Sequence, residues 1–335
     1  MKQKDKKSIN NAPVERLAKK LSSRLNQVEA EIKKNIKDQE GLITITAGHL
    51  INAQGKKLRP LLTLLISRML KYGGNSDINL AVCIEFIHNA TLLHDDVIDE
   101  GKIRRGKVSA NQIWGNKISV LVGDYLLSKA FKLMVKNKSL KLLEILSETS
   151  LILARGQIQD VNNFQNIHLS ENKYLKIINA KTAELFRISC FLPTILTNQK
   201  ISIQKSFNDF GFNFGMAFQL SDDILDYFGQ TKQMGKVIGK DFYEGKITLP
   251  IILLFQKANY QEKESLKNIF SKAAREEIDF DYSLSLIKKY DVIKACYKKA
   301  EHYINLASNS LSLFNDCEEK TILENLTSFS LSRNF

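Results

Sequence analysis

The sequence is poor in the residues that interrupt helices or cross-link small folds. It holds only 4 prolines and 4 cysteines among 335 residues, and proline at about 1% is far below the ~5% of average proteins. Cys83, Cys190, Cys296 and Cys317 lie far apart without a C-x-x-C spacing. We therefore expect reduced thiols packed in helices, and we exclude a disulfide scaffold and a collagen-like chain.

Long apolar stretches are missing as well. The run over residues 61–66 is interrupted at Thr63, and such runs fall far short of the roughly 18 residues that cross a bilayer. Five of the first seven residues are charged, and no apolar segment typical of a secretory signal follows them. We expect a soluble, cytoplasmic protein with at most peripheral membrane contact.

The residues that are abundant predict helices. Apolar residues make up 44% of the chain, and from Val14 to Ile32 they recur every three or four positions, which is typical of an amphipathic helix. No sustained alternation predicts strands. The sequence predicts an all-α protein with a flexible basic N-terminus over 1–13 and one domain over 14–335. Further helices are predicted over 60–71, 77–96, 117–136, 140–160, 171–192, 203–228, 248–257, 262–274 and much of 282–329.

The net charge of +13 points to an anionic partner. Forty-nine basic residues face 36 acidic ones, a balance that suits nucleic acid, an anionic membrane or a phosphorylated substrate. The basic residues are dispersed, the chain has one tryptophan, and no nucleic-acid-binding motif is present. We therefore expect a phosphorylated small molecule and no nucleic acid.

Two D-D-x-x-D segments stand apart from the rest of the chain. In a helix the first and last aspartates of such a segment lie one turn apart on one face, where their like charges are unfavourable, so a cation is expected to compensate them. Oxygen-only ligands, with no set of histidines or cysteines nearby, favour Mg²⁺. One such segment is often a solvated helix end, but two copies favour a shared Mg²⁺–phosphate site. The six candidates are Asp95, Asp96, Asp99, Asp222, Asp223 and Asp226.

Basic residues in glycine-bearing segments offer the counterpart to these acids. Lys56 and Arg59 stand at the predicted start of a helix, where backbone N–H groups also favour an anion. Mg²⁺ usually completes its shell with phosphate oxygens of a substrate. The further candidates are Arg104, Arg105, Lys181, Lys236, Lys240 and Lys246.

Together these segments resemble the trans-type polyprenyl diphosphate synthases, in particular the bacterial long-chain, octaprenyl-type enzymes that make quinone side chains. The resemblance covers about 200 residues in family order. It rests on QGKKLRP (54–60), EFIHNATLLHDDVIDEGKIRRGK (85–107), GNKISVLVGDYLLSKAF (115–131), AKTAEL (180–185), GMAFQLSDDILDY (215–227) and EGKITLP (244–250).

The resemblance implies a helical bundle of the isoprenoid-synthase type around a deep central cavity, usually as a homodimer. It implies that both aspartate clusters bind Mg²⁺ on an allylic diphosphate (farnesyl or geranylgeranyl), and that isopentenyl diphosphate is the second substrate. The implied catalytic residues are Asp95, Asp96, Asp99, Asp222 and Lys181. The implied contacts to isopentenyl diphosphate are Lys56, Arg59, His88 and Arg105, and those to the allylic diphosphate are Arg104, Lys181, Thr182, Gln219, Lys236 and Lys246.

The product is expected to be long, around eight isoprene units for ubiquinone side chains. Ala90 and Thr91, five and four residues before Asp95, are small and leave the upper part of a tunnel open. Phe131 and Met134 on the next helix are the candidates for its floor, although ordinary core packing explains them equally well.

Two polar residues on predicted helices are further candidates for the site. His88 lies two turns before Asp95 on the same face, which favours a contact with substrate. For Gln157, a buried position without any role in the site is nearly as well supported as a site role.

The sequence departs from the family pattern at two positions. It departs at Gln54, where a glycine is common, and at Lys240, where a small or acidic residue is common.

Other functions compete with this interpretation. A terpene cyclase shares the aspartate-rich helical site, but its second motif usually differs and it needs no K-x-x-R segment. A shorter-chain, geranylgeranyl-type synthase also fits the sequence. Non-catalytic subunits of heteromeric synthases tend to lose aspartate from one cluster, whereas this chain retains all six.

Overall fold

The computed structural model describes residues 12–39, 41–52, 56–228 and 238–332. The predicted flexible N-terminus therefore lies outside the described residues over 1–11, and the first helix begins at Ala12. Gln54 and Lys236 lie outside them too.

The described chain is all-α, as predicted. Low proline content and regular apolar periodicity allow long helices, of which those carrying the aspartate clusters have 23 and 28 residues. The helices are α1 Ala12–Lys20, α2 Ser22–Ile36, α3 Leu42–Ile51, α4 Leu58–Met69, α5 Ser76–Ile98, α6 Ala110–Lys136, α7 Leu140–Val161, α8 Glu171–Ile178, α9 Glu184–Leu196, α10 Ile201–Phe228, α11 Lys240–Glu244, α12 Leu249–Lys257, α13 Tyr260–Ser271, α14 Glu277–Lys289, α15 Val292–Ser310 and α16 Glu318–Ser332.

The N-terminal helix and helix α3 differ from the helices that the sequence predicts. The N-terminal helix is divided at Leu21, whose backbone lies outside the helical region although its side chain is buried. Helix α3 is not predicted, because its sequence LITITAGHLI is apolar on every side and rich in β-branched residues with low helix propensity. It packs against α2 and α6, so tertiary packing overrides its weak local preference.

A two-residue hairpin follows the first aspartate cluster in a segment expected to be a loop. Strands β1 Ile103–Arg104 and β2 Lys107–Val108 pair antiparallel. Arg105 and Gly106 form the turn with φ of +51° and +75°, and two successive positive φ values are typical of a tight hairpin turn. The segment is too short for an alternating pattern to reveal its strands.

The chain divides into two compact units. The described residues of the first lie within Met1–Ser150, Leu185–Asn208 and Leu313–Leu323, and those of the second within Leu151–Glu184, Asp209–Ser312 and Glu324–Phe335. In the first unit α5 packs along α6 and against α4 and α2. In the second, Phe242 contacts the rings of Phe270 and Phe280 with centroid distances of 5.3 Å in both cases. The single domain predicted over 14–335 stays a prediction.

The cysteines are free thiols, as expected. Cys83, Cys190 and Cys296 are buried, and Cys317 is half-buried. Burial raises the pKa of Cys296 to about 12, which keeps this thiol protonated and unreactive at neutral pH. Within the described ranges, no helix combines the length and the apolar character needed to span a membrane.

Candidate active site

The first aspartate cluster lies at the C-terminal end of α5 and contains two kinds of carboxylate. Asp95 and Asp99 are half-buried and lie one helical turn apart, since the Asp99 N–H donates to the Asp95 carbonyl at 2.8 Å. Asp96 points to another side and is only 1% exposed. The two outer carboxylates are therefore more accessible to solvent than the Asp96 carboxylate.

The buried Asp96 is held by the hairpin that follows it. The Arg104 Nε donates to Asp96 Oδ1 at 2.8 Å. The Asp96 carbonyl accepts the Gly101 N–H at 2.9 Å and the Asn111 amide at 2.9 Å. These bonds fix the hairpin to the end of α5 and so determine where Arg104 and Arg105 lie.

The predicted basic site forms around His88 in the first unit. Arg59 Nη1 lies 3.4 Å from His88 Nε2, and the Arg59 guanidinium lies over the Phe186 ring at 4.1 Å from its centroid. Burial and the positive charges of Arg59, Arg105 and Arg104 hold the pKa of His88 well below its usual value. His88 is therefore a neutral imidazole among three cations at neutral pH.

Lys56 and Lys57 differ in their surroundings although they are adjacent. Lys57 has φ of +43° just before α4, and its Nζ lies 2.5 Å from Glu29 Oε1 on α2. Lys56 is exposed. Lys57 thus ties the start of α4 to α2, while Lys56 lies at the solvent side of the segment that leads to Arg59.

The second cluster repeats the pattern of the first in the other unit. Asp222 and Asp226 are half-buried on α10, and Asp223 is 3% exposed. Tyr174 donates its hydroxyl to Asp223 Oδ2, and the Gln219 amide donates to Asp223 Oδ1 at 2.7 Å. Burial and the nearby Asp241 carboxylate raise the pKa of Asp223.

A π-helical turn presents Lys181 and Thr182. The predicted single helix over 171–192 is interrupted by this turn at Asn179–Ala183, a rare feature that is frequent at functional sites. Lys181 Nζ donates to Asp160 at 2.7 Å, and the Thr182 hydroxyl donates to Gln219 Oε1 at 2.8 Å. Gly156 makes room for the turn, since a Cβ there would lie 2.6 Å from the Ala180 Cβ.

Asp226 holds the start of α11. The Asp226 carboxylate accepts the Asp241 N–H at 2.8 Å, and its carbonyl accepts the Gly239 N–H at 2.6 Å. Glu244 at the end of α11 pairs with Lys246 at 3.0 Å and with Lys240 at 3.3 Å. Lys240, one of the two positions that depart from the family pattern, therefore places a cation beside Glu244.

Comparison with known proteins decides the family. A profile of the family described as polyprenyl synthetase matches residues 40–287. The chain is 33% identical to an octaprenyl diphosphate synthase from Haemophilus influenzae over 335 residues, which cover 100% of both chains. This chain belongs to the polyprenyl synthetase family.

Solved structures of this family share the fold. A decaprenyl diphosphate synthase from Rhodobacter capsulatus is 35% identical, with a TM-score of 0.91 over 96% of this chain and 99% of that chain. A polyprenyl synthase from Caulobacter crescentus complexed with calcium and isoprenyl diphosphate is 38% identical, with a TM-score of 0.91 over 96% and 98%. This polyprenyl synthetase is thus a prenyltransferase with the all-α fold of isoprenoid synthases, which confirms the predicted family, fold class and enzyme activity.

Sequence reasoning missed three side chains in this polyprenyl synthetase. Asp160 binds Lys181, Tyr174 binds Asp223, and the carboxylate of Asp241 lies near Asp223. Asp160 lies three residues after Gln157 in the segment RGQIQD, on the same side of the helix. This spacing was the sequence signal that could have pointed to Asp160. No local pattern distinguishes Tyr174. The Gln157 Nε2 is buried without a partner among the described residues.

The candidate chain-length residues lie along α5 and α6 of the first unit. Ala90 is 2% exposed and Met134 is fully buried. Thr91 and Phe131 are half-buried. The Cys83 Sγ lies 3.4 Å from the Ala130 carbonyl, so the deeper part of α5 meets α6 directly beside Phe131. The role of these residues in product length stays a prediction.

Proposed function

We propose that this polyprenyl synthetase condenses isopentenyl diphosphate with an allylic diphosphate, farnesyl or geranylgeranyl, to make a long all-trans product, octaprenyl diphosphate, for ubiquinone side chains. The observation that carries the proposal is the repeated arrangement of half-buried outer aspartates, Asp95 with Asp99 and Asp222 with Asp226. The full-length similarity to an octaprenyl diphosphate synthase supports the eight-unit product.

The oxygen-only clusters fit Mg²⁺. An outer aspartate pair on one helix face offers carboxylate oxygens and leaves positions for water and phosphate oxygens, which Mg²⁺ requires. In each unit the outer pair would hold it, Asp95 with Asp99 and Asp222 with Asp226, whereas Asp96 and Asp223 are buried and bonded to Arg104, Tyr174 and Gln219. When bound, Mg²⁺ neutralises negative charge on the leaving pyrophosphate.

The reaction begins when the carbon–oxygen bond of the allylic diphosphate breaks to give an allylic cation and pyrophosphate. Lys181, Lys246 and Arg104 are proposed to stabilise the charge that develops on the leaving group. Arg59, Arg105, Lys56 and neutral His88 orient isopentenyl diphosphate, whose double bond attacks the cation. Transfer of a proton to the departing pyrophosphate then forms the new alkene. Apolar helix faces exclude water, which would otherwise quench the cation.

The proposal is tested with purified protein, labelled isopentenyl diphosphate and farnesyl diphosphate, with Mg²⁺ or with chelator. We expect Mg²⁺-dependent incorporation, and chromatography of the dephosphorylated product should show eight units. A four-unit product would favour a geranylgeranyl-type synthase. No incorporation by the purified chain alone would favour a subunit of a heteromeric synthase.

We also propose a homodimer that forms through α6. This helix exposes Ile113, Val120 and Leu121, of which Leu121 is 62% exposed. Val120 and Leu121 are adjacent on α6, and Ile113 precedes Gly115, where the backbone of α6 is not helical; exposed apolar side chains of this size are costly in water. A second copy of the chain would cover them, in agreement with the dimer that the family resemblance implies.

A further inference from the structure

Four side chains of the second unit form a continuous hydrogen-bonded network. The Tyr174 hydroxyl donates to Asp223, Asp223 accepts the Gln219 amide at 2.7 Å, and Gln219 accepts the Thr182 hydroxyl at 2.8 Å. The network begins on α8, crosses to α10 and returns to the π-helical turn that follows α8.

The network joins the stretch formed by α8 and the π-helical turn to α10 at two points. Tyr174 and Thr182 are eight residues apart on the helical stretch formed by α8 and the π-helical turn. Gln219 and Asp223 are one turn apart on one face of α10. The two bonded ends therefore fix how α8 and the π-helical turn lie along α10.

The residues next to the network are those with proposed roles in catalysis. Lys181 precedes Thr182, and Asp222 precedes Asp223. A small rotation of α10 or of the π-helical turn would move both groups, and misplacement of about 1 Å can cost a factor of about 100 in rate.

Burial makes the Tyr174 hydroxyl important for the network. Tyr174 and Asp223 are each 3% exposed, so water cannot readily replace a lost donor. Each Asp223 oxygen accepts a bond from a different donor. Removal of the phenol hydroxyl would leave a buried carboxylate oxygen without its donor, a situation that structures avoid.

We propose that Tyr174 is a positioning residue of the second aspartate cluster, and that Asp223 anchors the π-helical turn through Gln219 and Thr182 instead of binding the metal. Tyr174 acts through Asp223 on the orientation of Asp222 and Lys181. This inference rests on the proposed function, because it assigns the cation to the outer aspartates of the cluster.

The test compares Tyr174→Phe with Tyr290→Phe in the full chain. The control loses the same type of bond, since the Tyr290 hydroxyl donates to Glu262 at 2.6 Å. Calorimetry measures the binding of inorganic pyrophosphate with Mg²⁺. We expect Tyr174→Phe to weaken this binding at least fivefold and to lower kcat at least tenfold, with the KM for isopentenyl diphosphate unchanged. Tyr290→Phe should leave all three quantities within twofold.

A second comparison separates an anchor from a metal ligand. We expect Asp222→Asn to abolish Mg²⁺-dependent pyrophosphate binding and Asp223→Asn to weaken it only several-fold. If Asp223 is a ligand, the two variants will be equally impaired, and Tyr174→Phe will bind as tightly as the wild type or more tightly. Either result overturns the inference. Because calorimetry does not require turnover, a wild type that binds Mg²⁺ and pyrophosphate but makes no product would count against the proposed function alone.

Discussion

At the scale of single residues, both aspartate clusters separate their carboxylates by burial. The outer pairs are half-buried, whereas Asp96 and Asp223 are 1% and 3% exposed. Asp96 is paired with a guanidinium and Asp223 with a phenol and an amide. The same D-D-x-x-D spacing thus combines a half-buried outer pair, which we propose to hold the cation, with one buried and hydrogen-bonded aspartate.

The outer aspartates should be essential for metal-dependent turnover. We expect Asp95→Asn and Asp222→Asn to reduce kcat at least 100-fold at limiting Mg²⁺, because a neutral amide retains the size of the side chain but weakens metal binding. Asp316→Asn is the control, since that side chain is 98% exposed. Steady-state assays over a range of Mg²⁺ concentrations measure the effect. Near-normal turnover by both cluster variants would contradict the assignment.

The basic residues before α4 should affect one substrate more than the other. We expect Lys56→Ala and Arg59→Ala to raise the KM for isopentenyl diphosphate about tenfold or more, with a smaller effect on the allylic substrate. Arg59 lies beside His88 and over Phe186, in the unit that does not contain Asp222.

Lys57→Ala is the matched control for these two variants. Its ammonium pairs with Glu29, so the change should lower the melting temperature slightly and leave both KM values unchanged. Equal increases in both KM values after Lys56→Ala or Arg59→Ala would argue against separate sites for the two substrates.

At the scale of elements, the π-helical turn depends on a close approach of α7. We expect Gly156→Ala to displace this turn, because the added Cβ would lie 2.6 Å from the Ala180 Cβ and 3.2 Å from the Lys181 backbone nitrogen. Overpacking of this kind typically costs about 1–3 kcal/mol. The KM for the allylic substrate should rise several-fold.

Gly73→Ala is the control for the glycine variant, since nothing lies within 4 Å of a Cβ built there. Denaturant unfolding and steady-state kinetics of both variants test the expectation. If Gly156→Ala matches Gly73→Ala in both measurements, the position of the turn does not depend on this contact.

The paired faces of α5 and α6 should determine product length. One helical turn rises about 5.4 Å, comparable with one extended isoprene unit, so successive turns of α5 mark successive depths. We expect Ala90→Tyr to shorten the product sharply and Phe131→Ala to lengthen it, because the first narrows the upper part and the second opens the floor. Chromatography of dephosphorylated products measures both shifts. An unchanged distribution for Ala90→Tyr would show that the chain grows along another face.

At the scale of the whole molecule, the exposed face of α6 should determine oligomeric state. We expect Leu121→Glu to convert a homodimer to a monomer, because a buried charge without a partner is costly. Lys141→Glu on α7, where the lysine side chain is 62% exposed, tests whether the altered charge alone is responsible. Light scattering coupled to gel filtration gives the mass of each variant. A wild-type monomer, or a Leu121→Glu dimer, would refute the proposed interface.

The sequence by itself determined the features that depend on neighbours within a few residues. Helical periodicity predicted most of the helices, and the D-D-x-x-D spacing placed Asp95 with Asp99 and Asp222 with Asp226, because residues four apart share a helix face. The chemistry of carboxylates and ammonium groups likewise follows from residue type. Spaced motifs over about 200 residues were therefore sufficient to identify the polyprenyl synthetase family.

Only the tertiary structure decided how the members of each motif differ. Asp96 is internal because Arg104 reaches it from the hairpin, and Asp223 is internal because Tyr174, 49 residues away, donates to it. The neutral state of His88, the π-helical turn opposite Gly156 and the existence of α3 likewise depend on groups distant in sequence. Burial and hydrogen bonding between distant segments are set by packing, which no local spacing encodes.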